Sequence, residues 1–156
     1  VYRKTACLFE ASGHTSALLA EASQEHQEGI IEYGKQLGIA FQLIDDALDY
    51  SASPEVLGKN LGDDLAEGKP TLPIIHAILN CSSQEKEVIH TAIENGDLSK
   101  LSVIQEIIEI TGAIQYTTNR AQEAADKAGA AIKSIPESKY KKALISIASS
   151  SVNRQT

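Results

Sequence analysis

The chain has 156 residues, 42% of them hydrophobic and 22% charged, which suffices for one domain with a buried core. Its net charge of −7 argues against a nucleic-acid partner, whose phosphates call for a basic stripe. No apolar run can cross a bilayer, because Gln42 and His76 interrupt the two best candidates, 38–44 and 72–79.

The amino end lacks the charged start, apolar block and cleavage site of a secretory signal. Cys7 and Cys81 have neither metal nor redox spacing, so a reducing, cytoplasmic location is expected. The chain starts at Val1 and contains no Met, and a piece of a longer protein is therefore expected.

Residues 3–19, rich in Ala and Leu, form the first expected helix. A second begins near Ser23 and runs towards Tyr50, with Leu37, Phe41, Ile44 and Leu48 on one buried stripe. Gly34 and Gly38 either weaken that helix or let a neighbour approach closely. Residues 51–69 hold Pro54, Gly58, Gly62 and Gly68 among mixed charges and read as a long polar loop with a short turn. Pro70 and Pro73 suit the first turn of a helix through Leu79. Ser82-Ser83-Gln84-Glu85 has the pattern of a capped start, and Asn95-Gly96 that of the matching stop. Helices over 98–111 and 113–134 follow, Pro136 ends the second, and an amphipathic segment covers 138–152. Val and Ile recur at helical spacing and never alternate. The fold class is all-α.

The chemistry sits in Phe41-Gln42-Leu43-Ile44-Asp45-Asp46-Ala47-Leu48-Asp49-Tyr50. On a helix, Asp45 and Asp49 lie one turn apart on the same face, with Gln42 about a turn earlier and Asp46 turned aside but within reach. Three carboxylates so crowded repel one another, and a bound cation relieves the repulsion. All the donors are hard oxygens, which selects Mg²⁺ or Mn²⁺ over Zn²⁺. Mg²⁺ commonly completes its shell with substrate phosphates, so a diphosphate ligand is expected. The bland reading is a solvated acidic face, and short patterns often mislead. Against it stand the apolar residues around the cluster and the cations Lys59 and Lys69 in the following loop, which can neutralise phosphate oxygens. His14, His26, His76 and His90 are scattered and read as surface or packing residues.

These residues resemble the trans-isoprenyl diphosphate synthases, in particular their long-chain polyprenyl branch. The second aspartate-rich motif of that family is matched by Gly38-Ile39-Ala40-Phe41-Gln42-Leu43-Ile44-Asp45-Asp46-Ala47-Leu48-Asp49-Tyr50. Its downstream loop is matched by Leu57-Gly58-Lys59-Asn60-Leu61-Gly62-Asp63-Asp64-Leu65-Ala66-Glu67-Gly68-Lys69-Pro70-Thr71-Leu72-Pro73, and its preceding helix by Lys4-Thr5-Ala6-Cys7-Leu8-Phe9-Glu10. The rest of the chain follows collinearly but more weakly.

The resemblance implies the carboxyl-terminal half of a single all-helical, isoprenoid-synthase-type bundle spanning residues 1–156. It implies condensation of an allylic diphosphate with isopentenyl diphosphate to a long-chain product, for which a quinone side chain is the expected destination. Asp45, and through shared ions Asp46 and Asp49, would hold Mg²⁺ on the allylic diphosphate. Lys4, Thr5, Gln42, Lys59 and Lys69 would contact that diphosphate or the carbons beside it. The resemblance further implies a homodimer as the full-length enzyme. The family's first aspartate motif and isopentenyl diphosphate site have no counterpart in these residues, so the chain alone is expected to be inactive. Two other functions compete: a non-catalytic all-α partner subunit, and a class I terpene cyclase. The intact aspartates and loop lysines speak against the first, and the Gly58-Lys59 and Gly68-Lys69-Pro70 pairs against the second.

Overall fold

The computed structural model describes residues 1–51 and 61–153, and among them helices joined by short turns are found and no strand. A short π-helical segment, Tyr2–Ala6, runs into α1, Cys7–Leu19. Then come α2 (Gln24–Ser51), the short α3 (Asp63–Ala66), α4 (Leu72–Asn80) and α5 (Ser83–Asn95). A 3₁₀ turn, Leu98–Lys100, leads to α6 (Leu101–Ile110), and α7 (Ala113–Ala131) and α8 (Lys139–Val152) complete the order. These bounds match the sequence expectation closely. The one expected helix at 113–134 stops three residues early, in a turn before Pro136.

Two compact units divide the described residues. Val1–Ile44 with 119–153 forms one, and Asp45–Thr118 the other. In the first unit, α1 and α2 meet backbone to backbone. A Cβ added at Gly38 would lie 2.6 Å from the Cα of Ala6, and one at Gly13 would lie 2.7 Å from the carbonyl oxygen of Ile30. Gly34 faces the Phe9 carbonyl still more closely. The glycines are therefore there for close approach, and the helix keeps its continuity in spite of their poor propensity. Tyr33, Leu37, Ala128, Ile132 and Ala148 form the core beside this seam. Lys141 is buried at 7% exposure. Its ammonium donates to the carbonyls of Lys133 (3.1 Å) and Ile135 (2.6 Å) and pairs with Glu137 at 2.8 Å, so its charge is satisfied while it closes the turn after α7.

In the second unit α4, α5 and α6 pack on one another. Ile74, Ile89 and Ile104 are wholly buried, with Leu65 of α3 and Tyr50 of α2 in the same cluster. Each such side chain contributes roughly 1.5–3 kcal/mol. The last carbonyls of α2 have no partner within the helix and are met from this unit. Gln105 Nε2 donates to the Tyr50 carbonyl at 2.9 Å, and the Gly62 N–H to that of Asp49 at 3.2 Å. Helix α5 starts with the expected capping box: Ser82 Oγ accepts from the Glu85 N–H, and the Glu85 carboxylate accepts from the Ser82 N–H at 2.7 Å. Gly96 closes it in the left-handed region.

Gly38→Ala should lower stability by roughly 1–3 kcal/mol in urea unfolding, because backbone cannot yield as a flexible side chain would. A loss within about 0.3 kcal/mol, inside ordinary surface variation, would show that the seam is not tight. The cap gives a pH signature. Its hydrogen bonds hold the Glu85 carboxyl below the usual range. The cap therefore stabilises the fold fully above the ordinary glutamate pKa and loses effect as pH falls through the lowered folded value. The stability deficit of Ser82→Ala, measured by urea midpoints, should accordingly shrink in that acidic window and be constant near neutrality.

Candidate functional site

The first unit places Thr5 and Gln42 together. Thr5 Oγ1 donates to Gln42 Oε1 at 2.5 Å, and Gln42 is 3% exposed. The seam makes this possible: Ala6, next to Thr5, lies on Gly38, one turn of α2 before Gln42. Lys4, adjacent to Thr5, is exposed on the same opening turn. Two candidates are thus in contact, and a third directly precedes Thr5 in sequence.

The second unit holds Asp45, Asp46 and Asp49 on the last turns of α2. Asp46 is buried at 2% exposure, while Asp45 and Asp49 are half-buried. None of the three is a freely solvated surface carboxylate. Asp49 is engaged from the following loop. Its Oδ1 accepts the Asp63 N–H at 3.2 Å and its Oδ2 the Asp64 N–H at 3.0 Å. With the Gly62 N–H on its carbonyl, Asp49 receives successive amides from 62 to 64. Gly62 makes that convergence possible, since its φ of +81° turns the chain into α3 in a conformation that favours glycine. Burial pushes the Asp49 carboxyl above its ordinary pKa, the two amide bonds oppose that rise, and the charges of Asp64 and Asp63 add to it.

Lys69 completes the described part of this site. Its ammonium pairs with Glu67 and lies 3.9 Å from the Asp64 carboxylate. The Lys69 N–H also donates to the Asp64 carbonyl at 2.8 Å, so the segment from Asp64 to Lys69 is closed on itself. Lys59 lies outside the described residues. Tyr50, to which the sequence reading gave no role, is buried at 3% exposure. Burial raises its phenol pKa far above the usual range, and the charge of Asp49 raises it further; the neighbouring Thr71 hydroxyl offsets part of this. Neither hydroxyl completes a well-formed hydrogen bond. Its place after the aspartates was legible, but its burial was not.

The donor chemistry fits a hard divalent cation, for every candidate ligand is a carboxylate oxygen. Among the described residues, however, no three His, Cys, Asp or Glu side chains are gathered to hold an ion. The expected three-carboxylate grip is therefore not assembled. Asp49 is turned to the loop amides, and an ion held by Asp45 and Asp46 would draw further ligands from elsewhere.

Residues 1–111 match the sequence model of the polyprenyl synthetase family. The octaprenyl diphosphate synthase of Haemophilus influenzae is 48% identical over 157 residues, covering 99% of this chain and 47% of that protein. That of Escherichia coli is 46% identical over 155 residues, with 99% and 48% covered. A crystal structure of polyprenyl synthase from Caulobacter crescentus, complexed with calcium and isoprenyl diphosphate, superposes with a TM-score of 0.90 at 39% identity, covering 98% of this chain and 47% of that one. The chain thus spans about half the length of the curated relatives it matches.

Thr5→Val should cost roughly 1–2 kcal/mol of stability, since it removes a donor to a buried amide. Urea unfolding would measure it, and a change of only a few tenths would show that Gln42 does not depend on Thr5.

Proposed function

Given that the chain belongs to the polyprenyl synthetase family, we propose that the protein condenses isopentenyl diphosphate with an allylic diphosphate, head to tail, to a long-chain trans-polyprenyl diphosphate. The observation that carries this reading is the aspartate run of α2, buried at Asp46, half-buried at Asp45 and Asp49, and tied through Asp49 to the loop that bears Lys69. The relatives are named as synthases, which favours the catalytic reading over a non-catalytic partner subunit.

Mg²⁺, with Mn²⁺ as a substitute, would supply charge neutralisation at the diphosphate as the allylic carbon–oxygen bond breaks. Asp45 and Asp46 are the residues to hold it. Two carboxylates and no closed cage suit a cation that shares its shell with phosphate oxygens and water. Lys69 would stand at the diphosphate as a point charge, at present balanced by Glu67 and Asp64, and Lys59 and Lys4 would add to that charge. Thr5 and Gln42, fixed to each other, would present a neutral polar pair beside the allylic carbons. Neutral groups suit that position, because the carbon fragment becomes cationic and a lysine there would oppose it. The condensation ends with loss of a proton from the elongated chain.

No described helix is long and apolar enough to cross a membrane. A cytoplasmic setting and a homodimer belong to the same proposal.

Full-length protein incubated with Mg²⁺, labelled isopentenyl diphosphate and farnesyl diphosphate should yield a long-chain labelled product, and a chelator should abolish it. Asp45→Ala should reduce kcat/KM at least about a hundredfold, the scale of losing one transition-state charge contact. Absence of long-chain product with Mg²⁺ present would sink the reading, and product formation that survives both the chelator and Asp45→Ala would strike the metal from it.

A further inference from the structure

Asp49 differs from its two neighbours in what its carboxylate touches. One oxygen takes the Asp63 N–H and the other the Asp64 N–H, while its carbonyl takes the Gly62 N–H. A carboxylate accepting hydrogen bonds on both oxygens has its orientation set, and turning it away would deprive two amides at the start of α3 of their side-chain acceptor. The amides in turn are oriented by the left-handed Gly62, so the turn is shaped around the carboxylate. From that turn the chain leads in five residues to Lys69, with the Asp64 carbonyl accepting the Lys69 N–H and the Asp64 carboxylate facing its ammonium.

We propose that Asp49 is a positioning residue: its carboxylate anchors the turn from Gly62 to Asp64 and so sets where Lys69 stands, while the cation falls to Asp45 and Asp46. This rests on the function proposed above and divides the labour within its site. The anchor is charge-assisted, and an amide side chain replaces it poorly, because Asn offers one acceptor oxygen where Asp offers two. The acidic side chains of Asp63 and Asp64 repel the Asp49 carboxylate, so the two N–H bonds hold it against that repulsion.

The test uses full-length protein and compares Asp49→Asn with Asp45→Asn. Hydrogen exchange on the metal-free protein reads the anchor alone. In Asp49→Asn the amides of Asp63 and Asp64 should exchange about tenfold faster, the scale of losing a charge-assisted hydrogen bond, and in Asp45→Asn they should not change. Calorimetry with Mg²⁺ and inorganic diphosphate then separates the ligands. For Asp49→Asn the half-saturating diphosphate at saturating Mg²⁺ should rise about five- to tenfold, with half-saturating Mg²⁺ unchanged within about twofold. For Asp45→Asn the half-saturating Mg²⁺ should rise instead. A rise in half-saturating Mg²⁺ for Asp49→Asn as large as that for Asp45→Asn, with Asp63 and Asp64 exchange unaltered, would overturn the assignment. Should Asp49→Asn fail to fold, the wild-type protein decides. Protection of the two amides that persists when Mg²⁺ is added supports the anchor, and protection lost on adding Mg²⁺ overturns it. If wild-type protein binds neither Mg²⁺ nor diphosphate, the synthase reading fails, while the metal-free exchange data still judge the anchor.

Discussion

Like charge crowded onto one turn and a half of helix is the constraint around which the second unit is organised. Asp45, Asp46 and Asp49 all sit at least half out of water, and each has another carboxylate for a close neighbour. The structure gives them different surroundings. Asp49 is met by backbone amides, Asp46 is enclosed at 2% exposure, and Asp45 keeps a half-open position. Backbone N–H groups are the least demanding counter-charge available. They carry no net charge, require no mobile side chain, and would otherwise need partners of their own at the start of α3.

The supporting shell follows from that choice. For the amides of 62–64 to reach Asp49, the chain must re-enter close to the end of α2, and Leu65 holds it there by burying itself with Ile74, Ile89 and Ile104. Tyr50, the next residue after Asp49, is driven into the same cluster, so the helix end is fixed from both sides. In the other unit a different device serves a similar purpose. Thr5 and Gln42 are brought into contact by the absence of side chains at Gly34 and Gly38, and polar contact rides on close backbone packing.

Much of this was legible in the sequence because the signals were local. The stripe of Leu37, Phe41, Ile44 and Leu48 gave α2, Ser82 and Glu85 gave the start of α5, and Asn95-Gly96 gave its end. The aspartate spacing on α2 was likewise readable, as was the alternative that Gly34 and Gly38 admit a neighbouring helix. Pairings between distant residues were not. Nothing in the order of residues says that Asp49 turns to amides fourteen and fifteen positions on, because any backbone can donate and the choice depends on tertiary closure. For the same reason the three aspartates look alike in the sequence, while their surroundings in the structure differ. Lys141 was equally hidden, since a lysine in an amphipathic helix gives no sign that carbonyls from the preceding turn will enclose it.

The seam between α1 and α2 has a mechanical side. Where side chains interdigitate, a helix can creep along its neighbour by small rotamer adjustments. Where Ala6 rests on Gly38 and the Phe9 carbonyl on Gly34, little side chain lies between the two backbones to adjust. Sliding α1 along α2 would bring bulkier side chains over Gly34 and Gly38, so the small residues fix the register of the pair. The opening turn that carries Lys4 and Thr5 inherits that register, with Thr5 bonded to Gln42 of α2.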